Sequence, residues 1–241
     1  MKIIEKLHAK EQAIYSAKPV TIAFLGDSVT QGCFECYEET ETKIETVFDY
    51  ENAYSTRVRE QLNLLYPRTQ INIINSGISG DNAPNGLSRI ERDILPYSPD
   101  LVVVSYGLND SGRGLANLPA YRDALAGIFK KLQDAGCEVI FLTQNMMATH
   151  VSCHLTGDLL RRVAASCAET QNNGTLDQYF AAAREEAEKA GIPVCDLYQK
   201  WQKLASGGVD VTELLANKIN HPAREIHEYM ATELIETMFE A

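Results

Sequence analysis

The chain has 241 residues, 45% hydrophobic and 23% charged, which is the balance of an ordinary globular protein and length enough for one α/β domain. Its 22 Lys and Arg against 33 Asp and Glu leave a formal charge of −11, which argues against a nucleic-acid binder and against attachment to an anionic membrane. No window approaches the about 18 apolar residues of a membrane span, and the first 18 residues lack the apolar stretch of a signal peptide, so the six cysteines read as reduced thiols of a cytoplasmic protein.

Apolar runs of strand length alternate with longer stretches of helical period. Residues 20–25 (VTIAFL) form the first expected strand. Residues 52–65 place Tyr54, Val58, Leu62 and Leu65 on one helical face, closed by Pro67. A second strand is expected over 71–74 and a third, strongly β-branched, over 101–106. Asn117 is then an expected N-cap with Pro119 in the first turn; Tyr121, Leu125, Ile128, Phe129 and Leu132 make the apolar face, and Gly136 ends the helix. Further strands at 139–142 and 192–195 bracket an Ala/Glu-rich helix over 176–190, and a last helix runs over 222–239. With no repeat, linker or low-complexity stretch, residues 1–241 read as a single domain.

Near-continuous apolar strands alternating with helices imply a parallel sheet covered on both faces. Ligands of such sheets bind beyond the carboxyl ends of the strands. The most unusual polar loops, 26–31, 75–82 and 107–113, each follow a strand, so three distant stretches should meet at one sheet edge.

Those loops, with a histidine near the C-terminus, hold the residue types that ester hydrolysis needs: a hydroxyl nucleophile, a base, and donors for an oxyanion. Ser28 follows Asp27 in a turn bracketed by Gly26 and Gly32. Gly77 and Gly80 let backbone approach a ligand closely, Asn109 carries a side-chain amide, and His221 before Pro222 is a candidate base. Singly, each also has a plain structural use. Asp27-Ser28 suits a helix cap, the glycines a positive φ, Asn109 a turn, and His221 a surface or capping position.

Their order and placement resemble the GDSL, or SGNH, hydrolase family. Gly26-Asp27-Ser28-Val29 stands for the family's Gly-Asp-Ser-Leu, Asn75-Ser76-Gly77-Ile78-Ser79-Gly80-Asp81 for its second block, Gly107-Leu108-Asn109-Asp110 for its Gly-x-Asn-Asp, and Asn220-His221-Pro222 for its last. The resemblance implies a flavodoxin-like three-layer α/β/α sandwich with a five-stranded parallel sheet and neither metal nor cofactor. Ser28 would attack the carbonyl and His221 would take its proton. The Ser28 and Gly80 amides and the Asn109 side chain would hold the oxyanion, while Asp27 and Asp110 would organise their loops. The implied partner is a small-molecule ester carrying a short acyl or O-acetyl group on a sugar-like alcohol. Thioesters, lysophospholipids and acyl transfer are the alternatives inside the family, and a non-catalytic carbohydrate-binding domain is the alternative outside it. Assembly into a homo-oligomer stays open.

The pattern departs from the family at the triad acid. The expected aspartate, three residues before the histidine, is Lys218. Asn217, Asp210, Asp196 or a backbone carbonyl would have to orient His221. Cys33 and Cys36 form a C-x-x-C, and His150, Cys153 and His154 crowd one segment; these are zinc-ligand types at spacings that fit no familiar finger, so no metal is expected. The acidic stretch 32–52 reads as a solvated insertion or as a rim beside the nucleophile, and 144–174 as a second wall.

Overall fold

The computed structural model describes residues 1–241. Seven strands and ten helices follow one another as α1 (Lys2–Gln12), β1 (Val20–Gly26), α2 (Ser28–Gln31), β2 (Cys33–Thr40), β3 (Lys43–Phe48), α3 (Tyr54–Leu65), β4 (Ile71–Gly77), α4 (Ala83–Asp93), β5 (Leu101–Ser105), α5 (Leu108–Ser111), α6 (Leu118–Asp134), β6 (Glu138–Leu142), α7 (Asp158–Asn172), α8 (Thr175–Ala190), β7 (Val194–Cys195), α9 (Leu197–Ser206) and α10 (Arg224–Glu240). Five strands pair in the order β4-β1-β5-β6-β7, every neighbour parallel.

The sheet is apolar on both faces because its strands alternate between two cores. Val20, Ile22 and Phe24 of β1, with Leu101 and Val103 of β5, point to the side covered by α1, α3, α9 and α10. Ala23 and Leu25, with Val102 and Val104, point to the side covered by α4, α6 and α8. This is the expected three-layer α/β/α arrangement, and the period-2 side-chain alternation of a strand produces it directly. No helix is long and apolar enough to cross a membrane.

Register sets up the loops. Gly26 lies opposite Gly77 on one side and Ser105 on the other, so the segments after β1, β4 and β5 leave the sheet together. Close approach requires glycine at this edge: a Cβ on Gly77 would lie 2.6 Å from the Gln31 Cα of α2.

Several boundaries differ from the sequence expectation. The last helix begins at Arg224, because Pro222 forms an antiparallel bridge with Leu215 and Ala223 is extended. Asn117 is not a side-chain N-cap; a short 3-10 turn over Leu115–Asn117 runs straight into α6, and its amide donates to the Arg113 carbonyl at 2.8 Å. Residues 32–52 are mainly an antiparallel hairpin, β2 and β3, springing from Gly32 at the end of α2. Cys33 and Phe34 at its root are buried, while Tyr37, Phe48 and the following Tyr50 are exposed. The hairpin meets the second expected wall directly, since the Glu38 carboxylate accepts the Leu160 amide in the first turn of α7 at 2.8 Å.

Candidate active site

Ser28 opens α2 immediately beyond β1 and is buried. Its Oγ lies 3.0 Å from His221 Nε2, joining residues far apart in the chain. His221 Nδ1 lies 3.0 Å from the Phe34 carbonyl oxygen at the root of the hairpin. A carbonyl only accepts, so the imidazole proton sits on Nδ1 and Nε2 is left as the acceptor for the Ser28 hydroxyl. Burial pushes the His221 pKa down to about 4, against the Phe34 carbonyl, which favours the charged form. The ring is therefore neutral and able to take a proton at neutral pH.

The loop carrying His221 is built around Asn217. Its Oδ1 accepts the amides of Ile219, Asn220 and His221 at 3.0, 2.9 and 2.9 Å, and its Nδ2 donates to Asn220 Oδ1. Lys218 takes a left-handed backbone with φ of 57° and turns its ammonium to the Glu213 carbonyl at 2.8 Å. The position of the family's acid thus points away from the ring. Neither acid substitute replaces it. Asp196 is bound by Arg184 through two contacts at 2.7 and 2.9 Å and caps α9 through the Gln199 amide. Asp210 caps the turn over Val211–Leu214 through the Thr212 amide and lies 3.7 Å from His150. Both carboxylates are committed elsewhere, and of the four groups weighed for the role only a backbone carbonyl meets Nδ1.

Around Ser28, the buried Asp27 carboxylate accepts from the Val29 amide at 3.0 Å and from Gln144 Nε2, which is 2.9 Å from both of its oxygens. Asn109 Nδ2 donates to the Asp81 carbonyl at 2.8 Å and to Asp27 Oδ2 at 3.3 Å, so all three loops touch through one amide. Asp110 accepts the Ala83 amide at 3.0 Å at the start of α4. Gly80 is exposed with φ of 77°, and a Cβ there would meet nothing within 4 Å.

Three organising residues escaped the sequence reading. Gln144, fully buried after β6, holds Asp27 with its amide nitrogen and accepts the Leu108 amide at 2.9 Å. It stands just past a strand at the ligand edge, which was an available signal. Arg89, buried in α4, donates to Asp81 at 2.7 Å, to the Ser76 and Gly26 carbonyls at 2.7 and 2.9 Å, and to Tyr106 Oη at 2.8 Å. Phe34 contributes a backbone atom, which no residue type announces. The cysteines and extra histidines do not converge. Cys36 rests against Thr46 and Asn217 with its Sγ 3.9 Å from His221 Nδ1, a longer contact than the Phe34 carbonyl makes; Cys153 is exposed, His150 faces Thr212 and Asp210, and no three His, Cys, Asp or Glu groups could share a metal ion.

The sequence model of the GDSL-like lipase/acylhydrolase family matches residues 24–229. An acetylxylan esterase of Geobacillus stearothermophilus is 32% identical over 92 residues, 38% of this chain and 40% of its own length. The chain spans only about two fifths of the curated relatives it matches. Among solved structures, a protein from Parabacteroides merdae described as a GDSL-like lipase has a TM-score of 0.70 at 18% identity, covering 92% of this chain and 96% of its own. A two-domain esterase active on acetylated mannans has a TM-score of 0.67 at 19% identity, covering 99% of this chain and 52% of its own. These structural likenesses concern the fold.

Proposed function

The chain belongs to the GDSL-like lipase/acylhydrolase family, and we propose that it is a serine esterase that removes small acyl groups, O-acetyl groups on sugars foremost. The observation that carries this reading is the line Ser28 Oγ, His221 Nε2, His221 Nδ1, Phe34 carbonyl, with both links at 3.0 Å. The likeness to esterases named for acetylated xylan and mannan supports the sugar acetate as substrate class.

In this reading His221 Nε2 takes the Ser28 proton as Oγ attacks the acyl carbon. Nδ1–H stays on the Phe34 carbonyl, whose dipole orients the imidazolium without a full negative charge. The protonated Nε2 then passes its proton to the leaving alkoxide, and water, deprotonated by the same nitrogen, frees the acyl group. The Ser28 and Gly80 amides and the Asn109 side chain receive the oxyanion, each such donor being worth roughly 3 kcal/mol. Asn109 exchanges its longer contact, the one to Asp27, for that oxygen. The six free cysteines fit a reducing compartment, and the cytoplasm is the proposed location.

The test is covalent labelling with a fluorophosphonate together with turnover of p-nitrophenyl acetate and acetylated xylo-oligosaccharides. Wild type labels at Ser28 and hydrolyses both, and Ser28→Ala does neither. Unlabelled wild type, or equal turnover by Ser28→Ala, sinks the proposal. Preference for long acyl chains over acetate overturns the substrate class while leaving the nucleophile standing.

A further inference from the structure

With no acid at His221, the aim of the proposed base depends on how firmly one backbone carbonyl is held. That carbonyl belongs to Phe34, the second residue of β2. The fully buried Phe34 ring has the Arg224 guanidinium 4.3 Å from its centroid and the His227 ring 4.7 Å away. His227 is buried and neutral, its Nδ1 taken by the Tyr54 amide at 3.0 Å. Arg224 donates to the two Glu35 carboxylate oxygens at 2.6 and 3.1 Å and to Asp49 Oδ2 at 2.7 Å. Glu35 is the residue joined to the Phe34 carbonyl. Asp49 follows β3, and its amide closes the hairpin on the Gly32 carbonyl at 2.8 Å. Arg224 itself is the first residue of α10, in the segment that carries His221. One guanidinium therefore fastens both ends of the hairpin to the segment bearing the histidine, which are the two sides of the Nδ1–H···O contact.

We propose that Arg224 is a positioning residue for the esterase reaction. It holds the Phe34 carbonyl against His221 Nδ1 and so supplies, through the backbone, the orientation that a third carboxylate would give directly. The proposal rests on the Ser28–His221 reading above. The chemistry calls for arginine: a planar fork satisfies Glu35 with two nitrogens, reaches Asp49 with a third and stacks on Phe34, whereas an ammonium does one of these at a time. Arg224, Glu35 and Asp49 are all half-buried, with side chains 33%, 46% and 24% exposed, so solvent screens these ion pairs and they add little to stability. Their removal leaves a folded protein with a looser carbonyl. Misplacement of a catalytic group by about 1 Å costs about 10²-fold in rate.

The experiment compares Arg224→Ala and Arg224→Lys with wild type on p-nitrophenyl acetate, in fluorophosphonate labelling, and by proton NMR of the His221 Nδ1–H. For Arg224→Ala, kcat falls about 10- to 100-fold at nearly constant KM, labelling slows in step, and the downfield Nδ1 proton signal broadens or disappears. Millimolar guanidinium, entering the surface cleft of about 400 Å³ lined by Asn52, Arg57, Arg224, Glu225 and Glu228, restores much of the rate. Arg224→Lys recovers little. A kcat and labelling rate within about twofold of wild type overturn the proposal, as does a loss that guanidinium leaves unrepaired with the Nδ1 signal intact. Should Arg224→Ala fail to fold, Glu35→Gln combined with Asp49→Asn loosens the same clamp with the arginine in place, and wild-type kcat in that variant is equally fatal. Failure of the nucleophile reading is distinguishable, because wild type itself then goes unlabelled.

Discussion

Asp27 is almost wholly buried beside Ser28, and burial pushes its carboxyl up to about 7 even though Gln144 and the Val29 amide favour the charged form. The carboxylates of Asp110 and Asp81 press in the same direction, and burial also lifts Asp110, to about 6. The sign for stability follows from linkage. Between the ordinary carboxyl range and about 7, the folded protein keeps a proton on Asp27 that the unfolded chain has released, so this residue costs stability progressively as pH rises and most fully above 7. The shift corresponds to a cost on the order of 4 kcal/mol at alkaline pH. Asp27→Asn cannot titrate, so its Tm relative to wild type rises between pH 4 and pH 8, by roughly 10 °C for a chain of this length. Calorimetry of the two proteins across that range checks it, and a difference that stays flat shows that Asp27 ionises in the ordinary range. Three donors converge on this side chain, Gln144 Nε2, the Val29 amide and Asn109 Nδ2, and each favours its charged form against the burial.

Among the elements, α4 does most to assemble the loops. Arg89 on its buried face reaches the ends of β1 and β4, Asp81 in the second loop, and Tyr106 after β5. Arg89→Met leaves the buried Asp81 carboxylate with the Tyr106 hydroxyl but no cation, an uncompensated burial of about 3–5 kcal/mol, while Asp93 keeps Arg92. In a chain of this length Tm should drop on the order of 10 °C, and surviving folded protein should turn over more slowly because three loops lose their shared anchor. Thermal unfolding with p-nitrophenyl acetate assays measures both, and a Tm within about 2 °C of wild type at full activity contradicts the role. The periodicity of α4 was hard to see because Pro84 and Gly86 fall inside it, although Asn82 as a true N-cap and Pro84 in the first turn were visible starting signals. The hairpin was illegible for another reason. Its burial runs in blocks with no period-2 alternation along either strand, and the acidic side chains that looked like a solvated insertion are mostly tied down, Glu35 and Asp49 by Arg224, Glu38 by α7, and Glu39 and Glu45 by Lys43. The sheet-edge loops were legible because strand runs and polar loops follow local rules, and Ser28, Asn109 and His221 were singled out by an order of motifs that resembles a family's, each being ambiguous alone. The Phe34 carbonyl was not, since only the fold decides which backbone atom meets a ring from the other end of the chain.

At the scale of the whole molecule, the parallel sheet was written in the β-branched runs, and the charge of −11 in the composition. The charge matters for encounter more than for folding. Glu41 in the hairpin that follows α2, and Glu51 in the turn after it, have no ion-pair partner within 4.0 Å, and the chain as a whole is anionic, so an approaching anion meets a net negative field. A neutral sugar acetate does not. With a neutral ester such as p-nitrophenyl acetate, kcat/KM should therefore stay nearly flat as salt is raised. With an anionic ester such as the p-nitrophenyl monoester of succinate, it should begin low and climb several-fold as the Debye length contracts from about 30 Å at 0.01 M to about 8 Å at 0.15 M. Initial rates for both esters over one salt series make the comparison internal, since any effect of salt on the fold touches both alike. An anionic ester handled as fast as the neutral one at low salt would mean that cations near the site, Arg113 and Arg224 among them, outweigh the net charge, and would redirect the search toward acidic sugars.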